Sequence, residues 1–268
     1  MSRAGWLLIA ICWAALAAPP AKIALVAGRA SHGPGEHEFN AGSTLLAKCL
    51  RQNPGVDAIV VKGGWPADDS FFESANAIVL YMDGGENHPL LAGDHLAKLG
   101  KLIKRGVGLA CLHYAVEVPG DHGGLELLDW IGGFYRRPYS QNPVNDVELT
   151  QAAPAHPISR GWESFRGTDE WYYRIVFRKD DKRLVPILTA MLPKDAPQQE
   201  TVAWAVERED GGRGFGFTGG HYHHNWGLED QRRLVVNAIL WTAKVEIPAG
   251  GVKCDLTPED LKANLDPK

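Results

Sequence analysis

The 268-residue sequence has four cysteines, no excess of positive charge, no internal repeat and a single long apolar run. Four cysteines are too few for the disulfide framework that staples small secreted domains, so a packed core must hold the fold. With 45% hydrophobic residues the chain has the material for such a core. Lys and Arg number 28 against 32 Asp and Glu, a net charge of −4, which supplies no electrostatic footprint for nucleic acid or an anionic membrane surface. The apolar run, Trp6 to Leu16, is 11 residues long, short of the ~20 needed to span a bilayer. Arg3 precedes it and Ala15-Leu16-Ala17 follows. This pattern predicts a secretory signal peptide over residues 1–17, with an exported periplasmic or extracellular protein starting near Ala18 and no membrane attachment after cleavage. Lipidation at Cys12 would need a small residue before it, and Ile11 stands there. Of the remaining thiols, Cys49 and Cys111 sit among apolar neighbours and read as small buried hydrophobes.

Thirty glycines and 17 prolines, scattered without period, imply many structured loops. Between them strands and helices alternate. Lys22 to Ala27 and Val56 to Val61 read as buried strands. A helix from about Asn40 to Gln52, with Asn40 as its cap, lies between them. A short helical turn near Asp69 to Ser74 precedes a strand at Ala77 to Tyr81. A helix within Leu91 to Lys104 then feeds a strand at Val107 to Leu112, and the last strand and helix are expected at Arg213 to Phe217 and Asp230 to Lys244. From Val144 to Glu207 the pattern turns β-like, with Thr201 to Val206 alternating. The expected fold class is α/β: a doubly wound, mostly parallel sheet with helices on both faces and an antiparallel elaboration at one edge.

Ten histidines are the most informative feature, because successive strands each empty into a loop bearing His or acid. These are His32, Glu36 and His37; Asp83 and His88; His113; and His221, His223 and His224. In open α/β sheets ligands bind outside the carboxyl ends of the strands, where these groups would meet. Imidazole suits borderline metals, and the pair His221 and His223 would present both rings on one side of an extended backbone. The same residues can instead hydrogen-bond a sugar, with Tyr222, Trp226, Trp65, Trp171, Tyr172 and Tyr173 as stacking faces or as core. Asp169 and Glu170 precede those aromatics as metal ligands, as a base, or as a solvated turn.

Five segments in order, Gly33 to Gly42, Gly108 to His113, His156-Pro157-Ile158, Asp169 to Tyr172 and Gly219-Gly220-His221, resemble the ThuA-like (trehalose utilisation) family from about Lys22 to Val245. The resemblance implies a flavodoxin-like sheet akin to class I glutamine amidotransferases, a ThuA-like domain at 18–248 with a peripheral tail at 249–268, and a setting in sugar metabolism that includes 3-keto glycosides. It also implies a metal at the histidine cluster. Glutaminase chemistry is not implied, because a thiolate nucleophile needs a Gly-x-Cys-x-Gly elbow and a His-x-Glu partner. Here Leu109 and His113 flank Cys111, and His221-Tyr222-His223 stands at the partner position.

The expected function is therefore an enzyme on an oxidised (keto) sugar or glycoside, working by metal- and His-assisted proton abstraction, elimination or hydrolysis. His113, His37 and Glu170 are the catalytic candidates. His113, His221 and His223 are the candidate ligands of a divalent metal such as zinc. Asp83, Trp171, Tyr172, Tyr222 and Trp226 are the candidate substrate contacts, and the partner is a small-molecule carbohydrate. The alternative is a non-catalytic carbohydrate-binding protein using the same crevice.

Overall fold

The computed structural model describes residues 19–268, so the expected signal segment lies outside the described residues. In chain order the elements are β1 (Ala21–Ala27), α1 (Phe39–Leu50), β2 (Val56–Val61), β3 (Ala77–Tyr81), α2 (His95–Ile103), β4 (Gly108–Leu112), α3 (Gly124–Trp130), β5 (Gly133–Phe134), β6 (Asn145–Gln151), β7 (Phe165–Asp169), β8 (Val176–Phe177), β9 (Leu184–Leu192), β10 (Gln198–Glu207), β11 (Arg213–Phe217) and α4 (Glu229–Thr242). Nine strands form one sheet in the order β2-β1-β3-β4-β11-β10-β9-β6-β7. The first five are mutually parallel and the rest join by antiparallel pairing, so the fold is the doubly wound sheet with an antiparallel edge. Strands β5 and β8 make a separate two-stranded ribbon.

The inner parallel strands β1, β3, β4 and β11 are largely apolar on both faces because both faces are covered. Ile23, Leu25, Val79, Tyr81, Leu112 and Phe217 share one core with Leu45 and Leu46 of α1 and with Leu234, Val235 and Ile239 of α4. Ala24, Val26, Ile78, Leu80, Leu109 and Cys111 face the other way, onto Leu99 and Ile103 of α2 and Leu127 and Trp130 of α3. Each fully buried Leu, Ile or Val contributes about 1.5–3 kcal/mol relative to exposure, which orders the sheet without a disulfide. The expected alternation of Thr201 to Val206 gives no exposed face, since Val202 through Val206 are all buried between the two cores.

Two details differ from the sequence reading. Helix α1 starts at Phe39 with Glu38 before it, and Asn40 does not cap it. The Asn40 amide instead donates to Asp266 Oδ1 at 2.6 Å and accepts from the Gly63 N–H at 3.2 Å. The tail beyond residue 248 packs closely against the domain. Buried Asn237 of α4 accepts from the Val252 N–H, buried Arg232 donates to the Cys254 carbonyl, and Val252 and Cys254 are themselves buried. Those interior polar groups need partners, and the tail backbone supplies them.

Register positions the site. Ala27 pairs with Tyr81, Tyr81 with Leu112, and Leu112 with Phe217, so β1, β3, β4 and β11 all end in one row. Four antiparallel pairings further on, β7 again runs in their direction and ends at Asp169 on the same edge. The loops that follow these strands therefore share one crevice. No helix among the described residues is long and apolar enough to cross a membrane.

Candidate metal and catalytic site

Three imidazoles and one carboxylate meet above that row. His37 Nε2 lies 3.0 Å from His221 Nδ1 and 3.1 Å from His113 Nε2. Glu170 Oε2 lies 3.4 Å from His221 Nδ1 and 3.6 Å from His113 Nε2. One ligand atom from each of the four residues fits within a 4.8 Å span. Ligands held ~2.0–2.1 Å from a tetrahedral zinc stand about 3.3 Å apart, so these spacings suit such an ion.

The backbone is bent to achieve this. His37 and His113 have φ of +45° and +53°, and neighbouring His32 has +63°. Left-handed conformations in residues with a Cβ are uncommon and cluster where surrounding structure over-determines them. His113 takes this turn directly after β4, so the sharp strand-end bend presents an imidazole to the crevice. Cys111, two residues earlier, stays fully buried within the strand, and burial pushes its thiol far up from the usual range.

Partners on the outer ring nitrogens set the tautomers. His113 Nδ1 meets the Thr218 carbonyl at 2.8 Å, and a carbonyl only accepts, so the proton is on Nδ1 and Nε2 carries a lone pair. His37 Nδ1 meets Asp83 Oδ1 at 3.3 Å, and Asp83 also accepts from Ser31 Oγ at 2.7 Å. Asp83 thus orients His37, in the carboxylate–histidine pattern seen around metal ligands, while a third of its side chain stays exposed. His221 Nε2 faces Glu36 at 3.8 Å, leaving its Nδ1 toward the cluster. Two lone pairs facing each other at 3.1 Å form a pair of ligand atoms that could hold a cation between them. Burial, with mutual repulsion among the rings, holds His113 well below its usual pKa and brings His221 to about 4. Burial also lowers His37 against the opposing Asp83. All three rings are thus neutral and competent as ligands near pH 7.

Glu170 is placed by a buried frame. Asp169, for which the sequence leaves metal ligand, base and solvated turn all open, is fully buried and accepts from the backbone N–H groups of Glu170, Gly220 and His221 and from the Asn225 amide. This clamp joins the β7 end to the β11 end. Burial and the adjacent Asp169 push Glu170 up to about 7. Asn142 donates to its other oxygen at 3.0 Å and is itself held by the Tyr135 hydroxyl. Tyr172, fully buried, sets its hydroxyl 3.3 Å from His113 Nε2. Gly220, at φ +106°, offers its carbonyl to the Tyr81 hydroxyl, and a Cβ there would lie 3.7 Å from His113.

Several expected contacts are elsewhere. His223 leaves the cluster: the chain enters a 3-10 turn at residues 223–227, so the alternation of an extended strand is lost and its Nε2 meets the Leu261 carbonyl. His37 occupies the place foreseen for it. Trp171 and Trp226 are fully buried against Phe217 and Tyr81, so neither offers a face to a sugar. Tyr222 stays partly exposed beside His221 and stacks on His224. His88 is buried between the Leu90 N–H and the Ala115 carbonyl as a structural group. Ser31, Thr218, Asn142 and Asp169 were not anticipated in their roles, because each acts through a partner far away in sequence.

The fold recurs in solved structures. The chain is similar to a ThuA-like protein from Parabacteroides merdae, with 15% identity, 90% of this chain and 99% of that one covered, and a TM-score of 0.61. A ThuA-like protein from Bacteroides uniformis gives 16% identity, 86% and 95% coverage and a TM-score of 0.64. Agd3, a novel carbohydrate deacetylase, shares the fold at 13% identity and a TM-score of 0.54, with 84% of this chain matching 32% of that one. No curated protein matches in sequence. The family pattern described as ThuA, trehalose utilisation, matches residues 24–242. A pattern over most of the length, on the fold its motifs require, establishes that the chain belongs to the ThuA family.

Proposed function

We propose that the protein is a metal-dependent enzyme acting on the carbonyl of an oxidised (keto) sugar or glycoside, with His37, His113 and His221 holding a divalent ion of the zinc type. The observation that carries the reading is the convergence of unprotonated imidazole nitrogens whose other nitrogens are each directed to a fixed partner or outward. Family membership supports a sugar as the substrate. When bound, the ion supplies Lewis-acid polarisation of a carbonyl oxygen, which acidifies the neighbouring C–H. Glu170, the best exposed of the four groups at 20% of its side chain, is the carboxylate placed to take that proton, and Asn142 aims it. Departure of a glycosidic oxygen one carbon further along then completes an elimination. The proton that Glu170 takes can pass to the departing oxygen, and the buried Tyr172 hydroxyl, beside His113 and bonded to Glu170, helps hold that carboxylate in place.

The test uses the purified protein loaded with zinc and a 3-keto glycoside in deuterated water. Deuterium exchange beside the ketone and glycoside cleavage are the expected results. Glu170→Gln should keep the zinc and lose about 10²–10⁴-fold in turnover, the range of one general base. Full turnover in that variant would overturn the assignment of the base, and affinity without turnover in the wild type would leave a carbohydrate-binding protein.

A further inference from the structure

The mouth of the crevice holds a second group of donor atoms that the inner cluster leaves unused. We propose that His32, His37 and Asp83 bind a further divalent ion of the zinc type on the outer side of the His37 ring, so that one imidazole serves two ions, Nε2 the inner and Nδ1 the outer. The proposal rests on the reading above for the inner ion alone and needs nothing of the substrate.

The spacing of the donors points to an ion. One ligand atom from each of His32, His37 and Asp83 fits within a 4.8 Å span. His37 Nδ1 lies 3.3 Å from Asp83 Oδ1. The Ser31 hydroxyl stands 2.7 Å from that oxygen, 3.2 Å from His37 Nδ1 and 3.1 Å from His32 Nδ1. These edges are close to the ~3.3 Å of a tetrahedral zinc shell, and they join two imidazole nitrogens, a carboxylate oxygen and a hydroxyl, with Ser31 at the fourth corner. The backbone serves the same arrangement. His32 has a φ of +63°, uncommon for a residue with a Cβ, and its ring is turned back over that of His37 with 3.7 Å between centroids.

Charge and access agree with this. As the ion binds, His37 gives its Nδ1 proton to solvent, because a ligand nitrogen must be unprotonated. The resulting imidazolate and the Asp83 carboxylate then balance the two positive charges of the ion. His32 is exposed, a third of the Asp83 side chain is open, and Asp83 lines a cavity of about 430 Å³ with Arg29, Trp65 and His95. The cavity gives the ion a way in. The inner cluster is the more deeply buried, so the outer ion is held less tightly and fills last. Ions on opposite nitrogens of one ring stand farther apart than the ~3.5–4 Å at which a pair can share an attacking oxygen. The outer ion therefore orders the mouth and turns His37 into an anionic, more strongly donating ligand, without itself meeting the reacting atoms.

Zinc titrated into the metal-free protein, followed by calorimetry and elemental analysis, tests the outer site. The wild type should take up a second equivalent, at least about tenfold more weakly than the first. His32→Asn removes the imidazole but keeps a residue that tolerates the left-handed backbone. It should bind the first equivalent only, with the melting temperature of the metal-free protein unchanged. His113→Ala should lose the inner equivalent and keep the outer. Copper loading of the wild type checks the shared ring without any variant. Two Cu(II) ions on one imidazolate couple antiferromagnetically, so the electron paramagnetic resonance signal should fall as the second equivalent is added, and signals that simply add would overturn the sharing of His37. A wild type saturated by one equivalent, or a second equivalent retained in His32→Asn, would overturn the outer site and leave the inner one standing. Both equivalents retained in His113→Ala would overturn the inner site alone, and a wild type that binds no zinc would overturn both.

Discussion

His37 and His113 stand with their Nε2 atoms 3.1 Å apart while the Nδ1 atom of each is directed to a carboxylate or a carbonyl oxygen. Two acceptors at that distance repel each other unless something positive lies between them, and this pair determines most of what the site can do.

Zinc should therefore bind in stoichiometric amount and raise the melting temperature. At a free concentration of one hundred times Kd the added stability is about 2.7 kcal/mol. His113→Ala and His221→Ala should each abolish most of that shift and lower metal content together with any keto-sugar turnover. The double variant should be little worse than either single one, because the first loss already disables the unit. His223→Ala should retain the metal, since its ring lies against Leu261. Elemental analysis and thermal melts on the four proteins check this, and full metal in His113→Ala would contradict it.

Cys111→Ala should keep activity. The thiol is fully buried in β4, and burial holds it protonated, so it is no nucleophile. The cost should be roughly 1 kcal/mol from the small cavity left behind, read by denaturant unfolding. Loss of turnover with an unchanged fold would restore the thiol to the mechanism.

Acid should destabilise the fold through His88. Burial brings its pKa from the ordinary 6.5 down to about 4, only partly offset by its bond to the Ala115 carbonyl. Between those values the unfolded chain binds a proton that the folded one refuses. The neutral ring's contribution is thus complete above pH 6.5 and is lost as pH falls toward 4, on the order of 3 kcal/mol in all. Unfolding free energies from pH 4 to 7 should show this slope, and His88→Asn should flatten it by about one proton.

Lys268 should matter to the metal although it is 231 positions from His37. Its side chain, 7% exposed, donates to the Gly33 and Glu36 carbonyls and sits 3.4 Å from buried Glu38, next to the first imidazole. Lys268→Met should loosen this loop and weaken zinc about tenfold by competition with a chelator, while Lys268→Arg restores part of the loss. Unchanged zinc affinity in Lys268→Met would show that the loop holds its shape alone.

Much of this architecture is legible from the one-dimensional pattern. Short apolar runs separated by amphipathic segments determine strand and helix identity locally, and Ala77 to Tyr81 and Arg213 to Phe217 fall where their periodicity places them. That strands of one direction must empty their loops at one edge follows from the same pattern, so the meeting of His37, His113 and His221 was open to inference. The short turn of helix at Gly124–Trp130 was not, because seven residues carry too little periodicity. Tertiary structure alone decided which polar groups join the cluster. His223 is two residues from His221 but turns away once the chain enters a 3-10 turn, whereas Asp169 fixes Gly220 and His221 from 51 and 52 positions off. Trp171 and Trp226 looked available to a sugar and are buried, because a large aromatic gains more from a core than from a solvated crevice. Sequence periodicity sets which face of an element is apolar. Which side chains touch across strands and loops depends on register, on left-handed turns at single residues and on the need to satisfy each buried polar atom, and those exist only in the assembled fold.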